Sequence, residues 1–98
     1  MDKRTVIKIV RDYKKVVQTI IPNAMVYLYG SYSKGTAHKD SDIDVAVVVP
    51  QFEGDWWAAS TSLWSATRKV NTLIEPVLME DCHPSPLYED VMRSGMVI

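Results

Sequence analysis

Cysteine and long apolar runs are scarce in this sequence, and each shortage narrows the possibilities. Cys82 is the only cysteine among 98 residues, so no disulfide can form within the chain, which fits a reducing cytoplasm. The apolar runs are short and the first residues are charged, so the sequence predicts neither a signal peptide nor a membrane span. Together these features predict a cytoplasmic protein.

The chain also has no large excess of positive or negative charge, because it contains 11 basic and 12 acidic residues. A chain so balanced has no overall attraction for nucleic acid, and we expect no direct DNA binding. No repeat, linker or low-complexity segment interrupts the 98 residues, a length near the lower limit for a single hydrophobic core. We therefore predict one domain over residues 1–98, and any second substrate-binding domain would have to come from another chain.

The apolar pattern predicts helices and strands in the order α-β-(turn or short α)-β-α-β-α. Apolar residues recur at three- and four-residue steps up to Pro22, which indicates an amphipathic first helix. Pro76 cannot donate to a strand ladder, so the third strand is expected at an edge of the sheet or at a bulge. The fold class predicted is α/β (α+β), a small mixed sheet of three to four strands packed with helices. The predicted helices cover residues 2–21, 56–70 and 86–93, the predicted strands cover residues 25–29, 43–49 and 73–79, and an apolar tail over residues 96–98 either adds a short strand or packs on the sheet.

Polar residues between the first two strands carry the chemistry. Gly30 and Ser31 follow the first strand, and glycine lets a backbone approach a ligand closely, while free amides at a following helix start attract anions. Asp42 and Asp44 open the second strand two residues apart, so both carboxylates point to the same face. Two such carboxylates repel each other unless a cation lies between them, and Mg²⁺ prefers one or two carboxylates together with phosphate oxygens. This layout is what a reaction of a nucleoside triphosphate needs.

These residues resemble a known signature. Gly30-Ser31, ten intervening residues and then Asp42-x-Asp44 are similar to the motif of the polymerase-beta-like nucleotidyltransferase superfamily. The sequences of two segments resemble those of the smallest branch, the minimal nucleotidyltransferases. These segments are Gly-Ser-Tyr-Ser-Lys-Gly and Ser-Asp-Ile-Asp. Many members of that branch are antitoxins encoded beside a helical HEPN toxin. The resemblance implies the nucleotidyltransferase fold.

The resemblance also implies roles for particular residues. A third acid on the third strand joins the Asp-x-Asp pair, and Glu75 matches that position. Asp42, Asp44 and Glu75 are then the catalytic and metal-binding residues, with two Mg²⁺ ions expected. The phosphates of ATP are expected to contact Gly30, Ser31, Lys34 and Ser41, with His38 or Lys39 as further candidates for neutralising phosphate charge. The implied activity is transfer of AMP from ATP to a hydroxyl, such as a tyrosine, of a cognate HEPN toxin.

Two tryptophans predict a contact surface. On a helix over residues 56–70, the core stripe at about 100° per residue contains Trp56 and Leu63, whereas Trp57 and Trp64 fall outside it. Exposed tryptophans are typical of binding surfaces. Either a protein partner or a second copy of the chain covers them, or the C-terminal segment does.

Cys82 and His83 are adjacent, but no second pair provides the spacing of a metal site, so both are interpreted as structural.

Other functions stay open at this stage. The chain can be a non-catalytic module that neutralises a partner by binding through the Trp57 and Trp64 face. It can also be a transferase that acts on a small molecule or on RNA.

Overall fold

The computed structural model describes all residues, Met1–Ile98. Four α-helices and four strands alternate along the chain, beginning with a helix, and a short 3-10 turn follows the third helix. The predicted fold class is confirmed, and the tail contributes the fourth strand. The helices are α1 (Lys3–Ile20), α2 (Ser31–Lys34), α3 (Trp56–Ala66, continued by the 3-10 turn Thr67–Lys69) and α4 (Pro86–Ser94), and the strands are β1 (Met25–Tyr29), β2 (Ile43–Val49), β3 (Ile74–Glu80) and β4 (Met96–Val97).

The strands form one mixed sheet in the order β3-β2-β1-β4. β1 pairs with β2 in antiparallel register, β4 pairs antiparallel with β1, and β2 pairs with β3 in parallel. A parallel pair needs a crossover connection, and α3 supplies it between β2 and β3. The third strand lies at the sheet edge, as Pro76 predicts.

The larger core lies between one face of the sheet and the helices α1 and α3. Helix α1 begins at the cap Asp2, whose carboxylate accepts a hydrogen bond from Thr5 N at 2.8 Å. Four residues of its apolar stripe are fully buried, and the buried Tyr13 hydroxyl donates to the Leu63 carbonyl of α3 at 2.7 Å. This bond fixes the two helices against each other. The side chains of β2 that enter this core are Ile43, Val45, Val47 and Val49.

A smaller core covers the opposite face under α4. Because side chains alternate along a strand, the residues of β2 between those of the larger core point here. Ala46 and Val48 join Tyr29, Met79 and Val91 of α4 in this cluster. The second strand is therefore buried on both faces, and Asp44 belongs to the α4 face.

The tryptophans of α3 differ in part from the prediction. Trp57 is 79% exposed and Trp64 is 50% exposed, as expected, and the C-terminal strand pairs with β1 instead of covering them. Trp56 was expected in the core stripe but is 40% exposed, with its ring edge-on to Phe52 at 5.5 Å. Trp56 lies in the first turn of α3, and the buried contacts of this helix begin further along, at Leu63. No helix in the structure combines the length and apolar character needed to cross a membrane.

Candidate active site

Three acidic residues meet at one end of the sheet. Asp42 directly precedes β2, Asp44 lies in β2, and Glu75 is the register partner of Asp44 in the parallel β2-β3 pair. Register partners project to the same face of a sheet, so Glu75 stands beside Asp44. Two strands thus bring together residues that are more than thirty positions apart in the chain.

The proximity of these acids affects their pKa values. Burial and the nearby charge of Asp42 raise the pKa of Asp44. The pKa of Glu75 is raised by desolvation, by the charges of Asp42 and Asp44, and by a hydrogen bond with Asp42. Neither of the chain's two salt bridges involves these three residues. The end of the sheet therefore carries a cluster of negative charge that lacks a protein cation.

The chemistry of this donor set suits a divalent ion, although the three carboxylates do not all lie within 4.8 Å of one another. All three groups offer carboxylate oxygens, which hard cations such as Mg²⁺ prefer, and the pKa values of two of the three carboxyls are raised by their surroundings. A positive ion would remove the repulsion that raises those pKa values. The cluster is accessible, because Asp42 and Glu75 are exposed and Asp44 is half-buried.

Gly30 brings the backbone of the first turn against these acids. Its φ of +72° and ψ of −145° are poorly accessible to other residues. A Cβ atom at this position would collide with the Asp44 carboxylate. Glycine is therefore required here both for the bend and for the close approach. The expected turn or short helix is α2, which follows directly and starts at Ser31.

Lys34 and Ser41 are near this bend but already have partners. The Lys34 ammonium lies 3.3 Å from both carboxylate oxygens of Asp90 on α4. The hydrogen bond from Lys34 is the main cause that lowers the pKa of Asp90. The Ser41 hydroxyl accepts from His38 N at 3.0 Å, and Ser41 N donates to the His38 carbonyl at 3.0 Å, so Ser41 closes the loop before Asp42.

Tyr29 and Asp90 belong to the same region, although the sequence did not single them out. Tyr29 is the β1 partner of Asp44 and is 8% exposed. Burial and the charges of Asp44, Glu75 and Asp90 raise the pKa of Tyr29 to about 12, so the phenol stays neutral beside the acids. The sequence alone does not point to Tyr29, because its pairing with Asp44 depends on the register between β1 and β2. No sequence pattern places Asp90 beside Lys34.

The acid cluster does not lie in an enclosed pocket. The largest concave space, about 490 Å³, is lined by residues that include Asn23, Val49 and Phe52, at the other end of the sheet. None of the acids lines a cavity, so they stand on an open face.

The fold and the acid cluster define a nucleotidyltransferase. The family profile named Nucleotidyltransferase domain matches residues 8–90, so this chain belongs to that family.

Two curated relatives are similar to the chain. The protein adenylyltransferase MntA of Shewanella oneidensis is 42% identical over 48 residues, which cover 49% of this chain and 30% of that protein. The match therefore spans less than a third of that relative. A Methanocaldococcus jannaschii protein, provisionally named a protein adenylyltransferase, is 26% identical over 99 residues, covering 95% of this chain and 98% of that protein.

Solved structures share the fold. A nucleotidyltransferase, provisionally so named, from Sulfolobus solfataricus superposes with a TM-score of 0.69 over 97% of this chain and 80% of that one, at 17% identity. A toxin–antitoxin structure with AMP-PNP has a TM-score of 0.52 and 29% identity, covering 99% of this chain and 72% of that one. A variant of the toxin–antitoxin complex MntA-HpeT has a TM-score of 0.50 and 27% identity, covering 99% and 72%.

Proposed function

We propose that this protein transfers AMP from ATP to a hydroxyl group of a partner protein, with Mg²⁺, and acts as the antitoxin of a HEPN toxin in the cytoplasm. The observation that carries the proposal is the convergence of Asp42, Asp44 and Glu75 beside the Gly30 bend. The names of the relatives support it, because two are called protein adenylyltransferases and one solved neighbour is a toxin–antitoxin structure with an ATP analogue.

The three acids divide the work in this proposal. Asp42 and Asp44 would hold Mg²⁺, and Glu75 would complete the site with a second ion. The ions supply positive charge that neutralises the acids and the triphosphate. Glu75 accepts the proton of the attacking hydroxyl, a role that a carboxylate beside the reacting group can fill. The hydroxyl oxygen bonds to the α-phosphorus as the bond to the bridging oxygen breaks, and pyrophosphate leaves with that electron pair.

The phosphates occupy the bend and the short helix α2. Gly30 permits close approach of the backbone, and the Ser31 hydroxyl donates to a phosphate oxygen. Lys34 exchanges Asp90 for the triphosphate, which is reasonable because this ion pair is exposed and weak. The Ser41 hydroxyl, which accepts one bond in the loop, still has its own proton to donate to a phosphate.

The acceptor is proposed to be another protein because the site lies on an open face. A second molecule must then complete the pocket around the reacting hydroxyl. The exposed Trp57 and Trp64 offer a surface for holding such a partner, or a second copy of this chain. This surface lies on α3, on the opposite face of the sheet from α4.

Labelling tests the transfer. The chain is purified with the protein encoded by its neighbouring gene and is incubated with Mg²⁺ and ATP radiolabelled at the α-phosphate. We expect label on the partner, and we expect Asp42→Asn/Asp44→Asn to abolish it. A matched control is Asp40→Asn, an exposed acid in the preceding loop, which should leave labelling unchanged.

The same experiment separates the alternative functions. A stable complex without label, together with neutralisation of the partner that survives the Asp42→Asn/Asp44→Asn change, would identify a binding module. Label on RNA or on a small molecule instead of protein would reassign the acceptor. The variant Trp57→Ser/Trp64→Ser is expected to weaken the complex without changing nucleotide binding, and an unchanged affinity for the partner would exclude this surface.

A further inference from the structure

Three potential metal ligands of different types meet at the far end of the sheet from the acid cluster. They are Glu80, the last residue of β3, and Cys82 and His83 in the loop that follows. One carboxylate oxygen, the thiol sulfur and one imidazole nitrogen all lie within 4.8 Å of one another. We propose that these three side chains form a binding site for a divalent transition-metal ion of the zinc class.

The loop that carries these ligands is fixed by backbone hydrogen bonds. Asp81 N donates to the Val49 carbonyl at 2.9 Å, and Cys82 N donates to the Pro50 carbonyl at 3.2 Å, so the loop extends the β2-β3 pairing. His83 N donates to the Glu80 carbonyl at 3.3 Å, which turns the chain back on itself. This turn brings positions 80, 82 and 83 to one side.

The carboxylate is held in place as well. Glu80 Oε2 accepts a hydrogen bond from Phe52 N at 2.8 Å, and the Cys82 thiol lies 3.7 Å from the same oxygen. A ligand oxygen supported by a backbone N–H is typical of a metal site, because outer contacts orient the inner ligands. The exposed Cys82 and His83 side chains are free to adjust toward it.

The ligand types select the metal. Thiolate, imidazole and carboxylate together suit zinc, whereas Mg²⁺ prefers oxygen ligands alone. Zinc–ligand bonds of about 2.0–2.3 Å in a tetrahedron place neighbouring ligand atoms roughly 3.3–3.8 Å apart. The observed separations, up to 4.8 Å, need a contraction of about an ångström, which loop side chains allow. Three protein ligands leave the fourth position for water or for a side chain of another molecule.

This site is distinct from the acid cluster. Glu80 is five residues beyond Glu75 on β3, which at 3.3 Å per residue separates them by about 16 Å. A bound ion would tie the end of β3 to the loop that leads into α4. The inference therefore does not depend on nucleotidyl transfer.

Cobalt titration tests the proposal, since Co²⁺ replaces zinc and gives a sulfur-to-cobalt charge-transfer band in the near ultraviolet when a thiolate binds it. The protein is the full chain under reducing conditions with the changes Asp42→Asn, Asp44→Asn and Glu75→Gln, which remove the acid cluster as a second cobalt site. We expect a charge-transfer band that saturates at one equivalent of Co²⁺ and is displaced by Zn²⁺.

Variants decide which residues bind. His83→Ala is expected to weaken Co²⁺ binding at least about tenfold, the scale seen when groups around metal sites are removed. The matched control is His38→Ala, because His38 is the only other histidine, and it should leave the affinity unchanged. Glu80→Gln keeps an acceptor for Phe52 N and should weaken binding as well. Absence of the band at equimolar Co²⁺, equal affinity in His83→Ala, or saturation at half an equivalent would overturn the proposed site.

Discussion

Replacing Gly30 by alanine should damage both the stability and the activity of this protein. The residue has φ +72° and ψ −145°, and the new Cβ would occupy space taken by the Asp44 carboxylate. The change therefore strains the backbone and displaces one of the three acids at the same time.

The matched control is Gly35→Ala at the other end of α2. Gly35 also has a positive φ, +76°, but no atom lies within 4 Å of its hypothetical Cβ. An alanine there suffers only the left-handed conformation, a cost of roughly 1–2 kcal/mol. At Gly30 the rarer conformation costs about 1–3 kcal/mol, and the collision with Asp44 adds to it.

The magnitudes can be measured separately. A loss of about 1 kcal/mol lowers the Tm of a domain of this size by roughly 4–8 °C, so both variants should melt earlier, with Gly30→Ala the lower. Only Gly30→Ala should lose activity, and a displacement of a catalytic group by about 1 Å costs on the order of a hundredfold.

The assay combines thermal unfolding with a measurement of the proposed AMP transfer well below the lower Tm. If Gly30→Ala transfers AMP as fast as Gly35→Ala while both are folded, the bend does not position Asp44 for the reaction and the reasoning fails.

Three further predictions concern charge and packing. Without Mg²⁺ the raised pKa values of Asp44 and Glu75 mean that the folded state holds protons which the unfolded chain releases near its ordinary values of 3.8 and 4.5. The stability of the fold should therefore fall as pH rises from those ordinary pKa values to the raised ones. At pH values above this interval, adding Mg²⁺ should restore the lost stability. A difference in Tm between the parent and Asp44→Asn/Glu75→Gln that does not change with pH would contradict this. Lys34→Ala should weaken ATP binding several-fold in calorimetry while Lys34→Arg retains it, and an unchanged affinity in Lys34→Ala would remove this residue from the phosphate site. Tyr13→Phe should cost about 0.5–1.5 kcal/mol in urea unfolding, because the buried Leu63 carbonyl loses its partner at 2.7 Å, and no change in midpoint would contradict this.

The sequence predicts most of the fold because its periodic patterns are local. The three- and four-residue steps of α1 specify which face of that helix is buried, the apolar run of β2 suits a strand covered on both faces, and Pro76 indicates the edge of the sheet. The prediction that Trp56 lies in the core was wrong, because helical periodicity gives only the direction of a side chain around the helix axis. It does not show whether the sheet extends far enough to cover the first turn.

The acids of the candidate site were chosen by a motif and a resemblance, and the structure adds how they meet. Spacing alone places Asp42 and Asp44 on one face, but the position of Glu75 depends on strand register, which a single sequence does not reveal. The partners of Lys34 and Tyr29 depend likewise on how α4 and β1 pack, since these contacts join segments far apart in the chain.

Pro76 has a consequence for how the molecule avoids its own copies. Ile43 N donates to the Leu73 carbonyl and Asp81 N donates to the Val49 carbonyl, so by alternation the backbone groups of Pro76 point away from β2, toward the open side of β3. An exposed strand with a full row of donors is a template for aggregation, and the missing N–H interrupts that row near its middle. The strand that brings Glu75 to the acids can therefore remain at the edge of the sheet without recruiting another strand there.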